Sequence, residues 1–199
     1  MTGYTPIFRS PIAVEEDANP KSKIQNLKLS DLTGAPVILI QGEAAADVLK
    51  QQLKKIPANP GDVIDVDGGV LARLTRNEFY LFGLTSDAKL PSISELDGSL
   101  AAANLFAHAT DFTHRTALLR LSGPAAAEML NKICGLDFHD NVFPTMQVKQ
   151  SSAAKIKTLI VRRDEGGVLV YHLHVSRPYG QYFWEIAWDA GQEFGIEVG

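Results

Sequence analysis

A pattern of fourteen residues that occurs twice constrains the fold of this chain more than any other feature. When Gly42 is aligned with Gly123, an offset of 81 residues, segment 37–50 falls on segment 118–131 with five identical positions and five similar ones. Each copy is an apolar run that ends at the glycine and continues with helical periodicity. The pattern predicts a strand, a tight turn and an amphipathic helix in each of two related units.

Each unit continues beyond its helix into an antiparallel hairpin, with Arg-Asn-Glu at the corner in the first unit and Arg-Asp-Glu in the second. The predicted hairpin strands are 70–75, 78–82, 157–162 and 168–175. Residues 85–100 are predicted to contain a short helix, and residues 101–115 to link the units. The sequence therefore predicts an α+β fold of two pseudo-repeated strand-helix-hairpin units, with antiparallel sheets around a shared core and helices outside.

The predicted domain organisation is an N-terminal extended arm followed by one compact body. Residues 1–23 contain prolines and acidic residues without a helical or alternating period, which is typical of an extended arm or of a disordered terminus. Residues 24–199 form the body, whose pseudo-repeats cover about 24–100 and 101–199.

Composition favours neither nucleic acid nor membrane as a partner. The formal net charge is −4 and the sequence pI is about 5.7, so no general attraction to polyanions is expected. No apolar run approaches the roughly 20 residues that span a bilayer, and residues 1–20 lack the apolar core of a signal peptide. With Cys134 as the single cysteine, the sequence predicts a cytoplasmic protein without an intrachain disulfide or a cysteine-rich zinc site.

The repeated turn is predicted to have a role in packing rather than to form an active-site loop. Ser122 precedes Gly123, but Gln41 occupies the matching place in the first unit, and no Gly-x-Ser-x-Gly elbow is present. Pro124 removes a backbone donor and Glu43 adds an anion at the twin position, which opposes phosphate binding. The sequence predicts no catalytic and no cofactor-binding residue.

A histidine pair, a group of basic residues and an aspartate pair are further candidates for a functional site, and a structural role is favoured for each. His172 and His174 share one face of a predicted strand, which would begin a metal site only if other donors joined them; no metal site is predicted. The histidines elsewhere are His108, His114 and His139. Five basic residues make the second unit locally positive and suit either a carboxylate-rich ligand or a solvated strand face: Lys149, Lys155, Lys157, Arg162 and Arg163. Asp65 and Asp67 have the spacing of a solvent-facing turn.

The last predicted helix, about 178–194, is apolar over a wide arc that includes Trp184 and Trp188. Such an arc either packs in a groove of the same chain or leaves part of its surface for a partner. Together with the arm residues, the two tryptophans form the predicted partner interface: Arg9, Pro11, Ile12, Trp184 and Trp188.

An ordered series of motifs covers nearly the whole chain: Arg9–Ile12, Leu74–Leu81, Thr110–Arg115, Leu119–Ala125, Gly135–Phe138, Phe143-Pro144, Val175–Pro178 and the helix through Trp184 and Ala190. This series resembles the gamma subunit of heterotetrameric sarcosine oxidase, which is related to the folate-binding domain of the glycine-cleavage aminomethyltransferase. Asn77-Glu78-Phe79 departs from the family's usual Pro-Asp-Glu-Trp-like corner.

The resemblance implies a folate-binding aminomethyltransferase-like fold and a supporting subunit of a complex that demethylates sarcosine to glycine with tetrahydrofolate as the one-carbon acceptor. It implies larger alpha and beta subunits and a small delta subunit as partners, with FAD, FMN, NAD and tetrahydrofolate in those partners and no cofactor in this chain. Two alternatives are a gamma-like subunit of an N-methylglutamate-type dehydrogenase and a free-standing folate-binding aminomethyltransferase-like protein. The latter relatives are expected to be longer, with an additional C-terminal barrel.

Overall fold

The computed structural model describes residues 9–13, 26–103 and 106–199. The first repeat contains five strands and two helices, in the order β1 (Leu27–Asp31), β2 (Val37–Gly42), α1 (Ala45–Leu53), β3 (Val63–Val66), β4 (Gly69–Thr75), β5 (Glu78–Gly83) and α2 (Ile93–Ala102). The predicted strands and helices of the first unit are confirmed, and β1 and β3 are additional strands that the sequence pattern did not reveal.

The second repeat has the same order of elements and one extra strand. Its elements are β6 (Ala107–Asp111), β7 (Thr116–Ser122), α3 (Ala126–Ile133), β8 (Gln147–Ala153), β9 (Ile156–Arg162), β10 (Val170–Ser176), α4 (Gly180–Gly191) and β11 (Ile196–Val198). Short 3-10 turns occupy Thr113–Arg115, Arg177–Tyr179 and Gln192–Phe194. The segment 101–115, which the sequence pattern presents as a linker, contains the end of α2 and the whole of β6.

The two repeats exchange their first strands. The five-stranded sheet has the order β3-β4-β5-β2-β6, and the six-stranded sheet has the order β11-β1-β7-β10-β9-β8. All neighbours are antiparallel except β1 and β11, which are parallel. Strand β1 of the first repeat therefore belongs to the sheet of the second, and β6 of the second repeat belongs to the sheet of the first.

Four layers follow from this pairing. Helices α1 and α2 cover the outer face of the five-stranded sheet, and α3 and α4 cover the outer face of the six-stranded sheet. The inner faces of the two sheets pack against each other, which confirms the predicted α+β fold with helices outside. The apolar residues of this inner layer include Val37, Leu39, Val70, Phe82, Leu118, Leu159 and Val161.

The twin glycines explain why the repeated motif keeps its turn. Gly42 has φ +122° and Gly123 has φ +128°, a region that side chains with a Cβ rarely adopt. A Cβ on Gly42 would overlap the carbonyl oxygen of Phe106, and a Cβ on Gly123 would overlap that of Asn26. Phe106 and Asn26 immediately precede the exchanged strands. Each glycine therefore makes room for the strand that arrives from the other repeat.

The predicted arm lies outside the described residues apart from residues 9–13. These five residues lie on the body: the backbone N–H of Ala13 donates to Gln181 Oε1 at 2.7 Å, and Ser10 Oγ donates to Asp31 Oδ2. A Cβ on Gly180 would come within 2.9 Å of Pro11 Cγ, so α4 begins directly against the arm. The predicted domain boundary near residue 24 stays a prediction.

Candidate functional site

The two histidines that the sequence singles out on one strand lie between the two sheets. His172 and His174 both project from β10 towards the five-stranded sheet, as their spacing predicts. The ring of His174 lies 4.6 Å from the ring of Phe82 and 5.4 Å from that of Tyr80, and the ring of His172 lies 5.6 Å from that of Phe82. Both histidines are buried, with 0% and 4% of their surface exposed.

The histidines are neutral in the folded chain. Burial lowers the pKa of His172 to about 4 with a further contribution from Arg120, and burial lowers the pKa of His174 to about 3 with a further contribution from His172. None of their four ring nitrogens has a hydrogen-bond partner in the described part of the protein. Within those same residues, no group of three His, Cys, Asp or Glu side chains is placed to hold a metal ion.

The inner layer opens at one end into a cavity of about 420 Å³, which we call the inter-sheet cleft. It is lined by residues of β2, β4, β5, β7, β8, β9 and β10 and of the segment before β7, and His174 is one of them. Apolar walls are provided by Leu39, Leu159 and the rings of Tyr80 and Phe112. Besides His174 and Tyr80, the polar residues that line it are Gln41, Glu78, Arg115, Thr116, Gln150, Lys157 and Ser176.

The charge of the inter-sheet cleft is positive. Arg115 and Lys157 contribute two cations, and Glu78 contributes one carboxylate, which accepts a hydrogen bond from Gln41 Nε2 at 3.3 Å. The guanidinium of Arg115 lies 4.4 Å from the centroid of the Phe112 ring. Neither cation forms an ion pair within the residues that the structure describes.

Tyr80 connects the cleft to the histidines. Burial raises the pKa of its phenol, and a hydrogen bond with Thr116 and the charge of Arg115 act in the opposite direction with smaller effect. Its ring lies edge-on to both Phe112 and His174. The wall of the cleft is thus a fixed aromatic cluster in which the phenol stays protonated.

The opposite end of the inner layer is closed by ion pairs. Arg163 Nε contacts Asp65 Oδ1 at 2.6 Å, and this pair joins the six-stranded sheet to β3 of the five-stranded one. Glu165 accepts from Arg163 at 2.5 Å and from Arg120 at 2.7 Å. Asp65 and Asp67 are both exposed, as a solvent-facing position requires, but Asp65 lies on β3 and is paired across the sheets.

The five basic residues of the second unit do not form one surface. Arg162 is buried and pairs with Asp140 at 2.7 Å and Asp164 at 2.8 Å, and these hydrogen bonds raise its pKa despite the cost of burial. Lys149 donates to the carbonyl of Val142, Arg163 holds Asp65, and Lys155 is exposed. Only Lys157 of this group lines the inter-sheet cleft.

Ser122 and Cys134 have structural surroundings. Ser122 is 6% exposed and its Oγ accepts from Arg120 Nη1 at 3.0 Å, which agrees with a packing role for the turn. Cys134 is a buried free thiol in the core beneath α3 and α4.

The predicted partner-interface residues differ in accessibility. Ile12 and Trp184 are buried in the chain's own core, at 6% and 5% exposure, so little of their surface is available to another protein. Trp188 is half-buried and stacks on Trp184 with ring centroids 6.4 Å apart. Arg9 is exposed and Pro11 is half-buried beside Gly180. The predicted interface of Arg9, Pro11, Ile12, Trp184 and Trp188 stays a prediction, and its accessible part is Arg9, Pro11 and Trp188.

Sequence patterns missed the inter-sheet cleft. Arg115 and Phe112 belong to the motif Thr110–Arg115, which lies in the segment interpreted as a linker. Gln41 and Glu78 are cross-strand neighbours on β2 and β5, a pairing that the predicted hairpin register alone does not reveal. The cleft arises from the packing of two sheets, so no single segment carries its signature. Among the described residues, no helix is both long and apolar enough to cross a membrane.

Residues 25–199 match the GCVT N-terminal domain family. Similar sequences include sarcosine oxidase subunit alpha of Rhizobium meliloti (strain 1021), 27% identical over 187 residues, and human mitochondrial dimethylglycine dehydrogenase, 24% identical over 211 residues. These matches cover 86% and 98% of this chain but only 19% and 24% of the two relatives. Sarcosine oxidase subunit gamma of Corynebacterium sp. (strain U-96) is 32% identical over 111 residues, which are 55% of this chain and 52% of that subunit.

Two solved structures share the fold. A chain of the heterotetrameric sarcosine oxidase from Corynebacterium sp. U-96 has a TM-score of 0.80 at 24% identity, with coverage of 96% of this chain and 97% of that one. The glycine cleavage system aminomethyltransferase T from Bartonella henselae has a TM-score of 0.69 at 19% identity, with coverage of 88% and 48%. Because the family match extends over residues 25–199 and both structures repeat this architecture, the chain belongs to the GCVT N-terminal domain family and has its aminomethyltransferase-like fold.

Proposed function

We propose that this chain is a non-catalytic gamma-type subunit of a heterotetrameric sarcosine oxidase complex. The observation that carries the proposal is the structural likeness to one chain of such a heterotetramer, with a TM-score of 0.80 and coverage of 96% of this chain and 97% of that one. The 32% identity to a gamma subunit over 111 residues supports the same assignment.

The surroundings of the chemically capable side chains support a structural role. His172 and His174 pack against aromatic rings between the sheets. Ser122, the last residue of β7, is hydrogen-bonded to Arg120. These are the groups from which a metal site or a nucleophile would be built, and here they fill space and join strands.

In the proposed complex, sarcosine is oxidatively demethylated to glycine in the cytoplasm, and tetrahydrofolate accepts the one-carbon unit. FAD, FMN, NAD and tetrahydrofolate would be bound by partner subunits of the alpha, beta and delta types. The gamma-type chain would stabilise their assembly through its surface, including the predicted interface of Arg9, Pro11, Ile12, Trp184 and Trp188.

Co-expression with the alpha, beta and delta-type subunits of the same genome tests this function. We expect a stable complex with a flavin spectrum and sarcosine-dependent oxygen consumption, and we expect the isolated chain to show neither flavin absorbance nor oxygen consumption. Demethylase activity of the isolated chain, or failure of the co-expressed chains to co-purify, would refute the proposal.

The two alternatives can be distinguished by the substrate that the complex oxidises and by whether the isolated chain binds folate. A complex that oxidises N-methylglutamate and not sarcosine would indicate a gamma-like subunit of an N-methylglutamate-type dehydrogenase. The likeness to aminomethyltransferase T over 88% of this chain favours the other alternative, a free-standing folate-binding protein. Calorimetry with folinic acid tests it, because tight binding of one equivalent by the isolated chain would support that alternative.

A further inference from the structure

The two ends of the inner layer differ in how their charges are matched. At the closed end, Arg163 is paired with both Asp65 and Glu165. At the cleft end, two cations face one carboxylate, and that carboxylate is already hydrogen-bonded to Gln41. In a chain of net charge −4, this is a local excess of positive charge inside a concave site.

The wall of the cleft also contains a polar side chain, His174, without a hydrogen-bond partner among the residues that the structure describes. His174 lines the cleft with only 4% of its surface exposed, and both of its ring nitrogens are buried. A buried polar group without a partner costs roughly 1–3 kcal/mol of folding free energy. A ligand or water molecule that reached this ring would supply the missing hydrogen bond.

The size and composition of the cleft suit a small group rather than a flat surface contact. Its volume of about 420 Å³ lies within the range of about 300–1,000 Å³ that is usual for ligand sites. The wall combines apolar and aromatic side chains with a few convergent polar groups, as such sites do. Arg115 comes from the 3-10 turn before β7 and Lys157 from β9, and both line the same cavity.

We propose that the inter-sheet cleft binds a carboxylate, with Lys157 and Arg115 as its cationic partners and the wall around His174 and Tyr80 receiving the attached carbon chain. A carboxylate neutralises the excess charge, and guanidinium groups favour planar, two-oxygen anions. The carboxylate belongs either to a free organic acid or to the side chain of an acidic residue on another protein.

Nuclear magnetic resonance on the isolated full-length chain, with the histidine rings labelled, tests the proposal in two arms. The probes are glutarate for a free acid and the capped tripeptide N-acetyl-Gly-Glu-Gly-amide for a protein side chain; glutaramide and the corresponding Gln peptide are their uncharged controls. We expect at least one acid to shift the His174 ring signals saturably, with a Kd of about 1–10 mM. The arm that responds identifies the source.

Substitutions decide whether the cleft is responsible. Lys157→Gln removes a cation that forms no ion pair with any residue in the described ranges, and we expect it to weaken binding about tenfold. Lys155→Gln removes the same charge at an exposed position outside the cleft and should leave binding unchanged. The proposal is overturned if neither acid shifts His174 saturably, if the uncharged controls shift it equally, or if binding survives Lys157→Gln and Arg115→Gln undiminished.

Discussion

The two repeats follow the same chain path but present different side chains to the space between them. The first repeat contributes mainly apolar residues to the inner layer, among them Val37, Leu39, Val70 and Phe82. The second contributes most of the polar ones: Thr116, Arg120, Ser122, Lys157, His172 and His174. Strand path and inner-face chemistry are therefore independent properties of this fold.

The exchanged strands show a second difference between the repeats. In the six-stranded sheet, the outer edge of β1 is covered by β11. In the five-stranded sheet, no further strand joins β6 within the described residues, and Asp97 from α2 accepts a hydrogen bond from the backbone N–H of Ala109 at 2.6 Å. An added strand and a helix carboxylate are two ways of supplying hydrogen-bond partners to the backbone groups of an edge strand.

The strongest test of the equivalence between the repeats is to add a Cβ at each twin glycine. We expect Gly42→Ala and Gly123→Ala each to lower the free energy of unfolding by about 2–4 kcal/mol, because φ is positive and backbone atoms of the exchanged strand occupy the space. Urea denaturation measures the effect. Gly98→Ala is the control, since Gly98 lies inside α2 with open space around it and the change should be neutral or stabilising. Losses no larger than in that control would contradict the packing role.

His172 and His174, both in the second repeat, should make the free energy of unfolding depend on pH. The unfolded imidazoles take up protons below their ordinary pKa of 6.5, while the folded ones stay neutral down to about 4 and about 3. Stability therefore falls as the pH falls below about 6.5, by about 2 kcal/mol per histidine between pH 7 and pH 5. Denaturation at both pH values measures this loss.

Variants assign that pH dependence to its source. His174→Leu and His172→Leu should each remove part of the loss between pH 7 and pH 5, because an apolar side chain does not titrate. His108→Gln, at an exposed position of β6, serves as the control and should keep the loss of the unchanged chain. An equal reduction in all three variants would show that the dependence does not arise from burial between the sheets.

A substitution at the edge of β6 should lower the free energy of unfolding by less than a substitution of either twin glycine. Asp97→Ala removes the acceptor for the Ala109 N–H and should cost about 1 kcal/mol, because water replaces part of the lost hydrogen bond. Hydrogen exchange at Ala109 should accelerate in the variant. Asp67→Ala, at an exposed carboxylate in the β3–β4 turn, should change neither quantity. Unchanged exchange at Ala109 would show that Asp97 does not protect this edge.

The smallest expected effect concerns the ion pair that closes the far end of the inner layer. A double-mutant cycle with Arg163→Gln and Asp65→Asn should give a coupling energy of about 0.5 kcal/mol, since Asp65 is 53% exposed. The coupling should decrease in high salt. A coupling above about 2 kcal/mol would mean that this pair, rather than apolar packing, determines how the sheets meet.

Local patterns predicted the elements with strong periodicity and missed those without it. Strands β2, β4, β5, β7, β9 and β10 carry apolar runs, and α1 and α3 carry an apolar stripe; all were predicted close to their observed bounds. Strands β6 and β8 were not, because AHATD and QVKQSSA are rich in residues with low strand propensity. They form strands because a neighbouring strand supplies their hydrogen bonds, which is a tertiary effect.

The sequence alone determined that there are two related units, that a glycine turn joins strand to helix in each, and that helices cover the outside of antiparallel sheets. These features follow from residue spacing and from the backbone freedom of glycine, which are local properties. The tertiary structure decided that the units exchange β1 and β6, that Trp184 and Ile12 are buried, and that Arg115 and Lys157 meet at one cleft. These features depend on which faces of distant segments bury each other, and that choice is made by the packing of the whole chain.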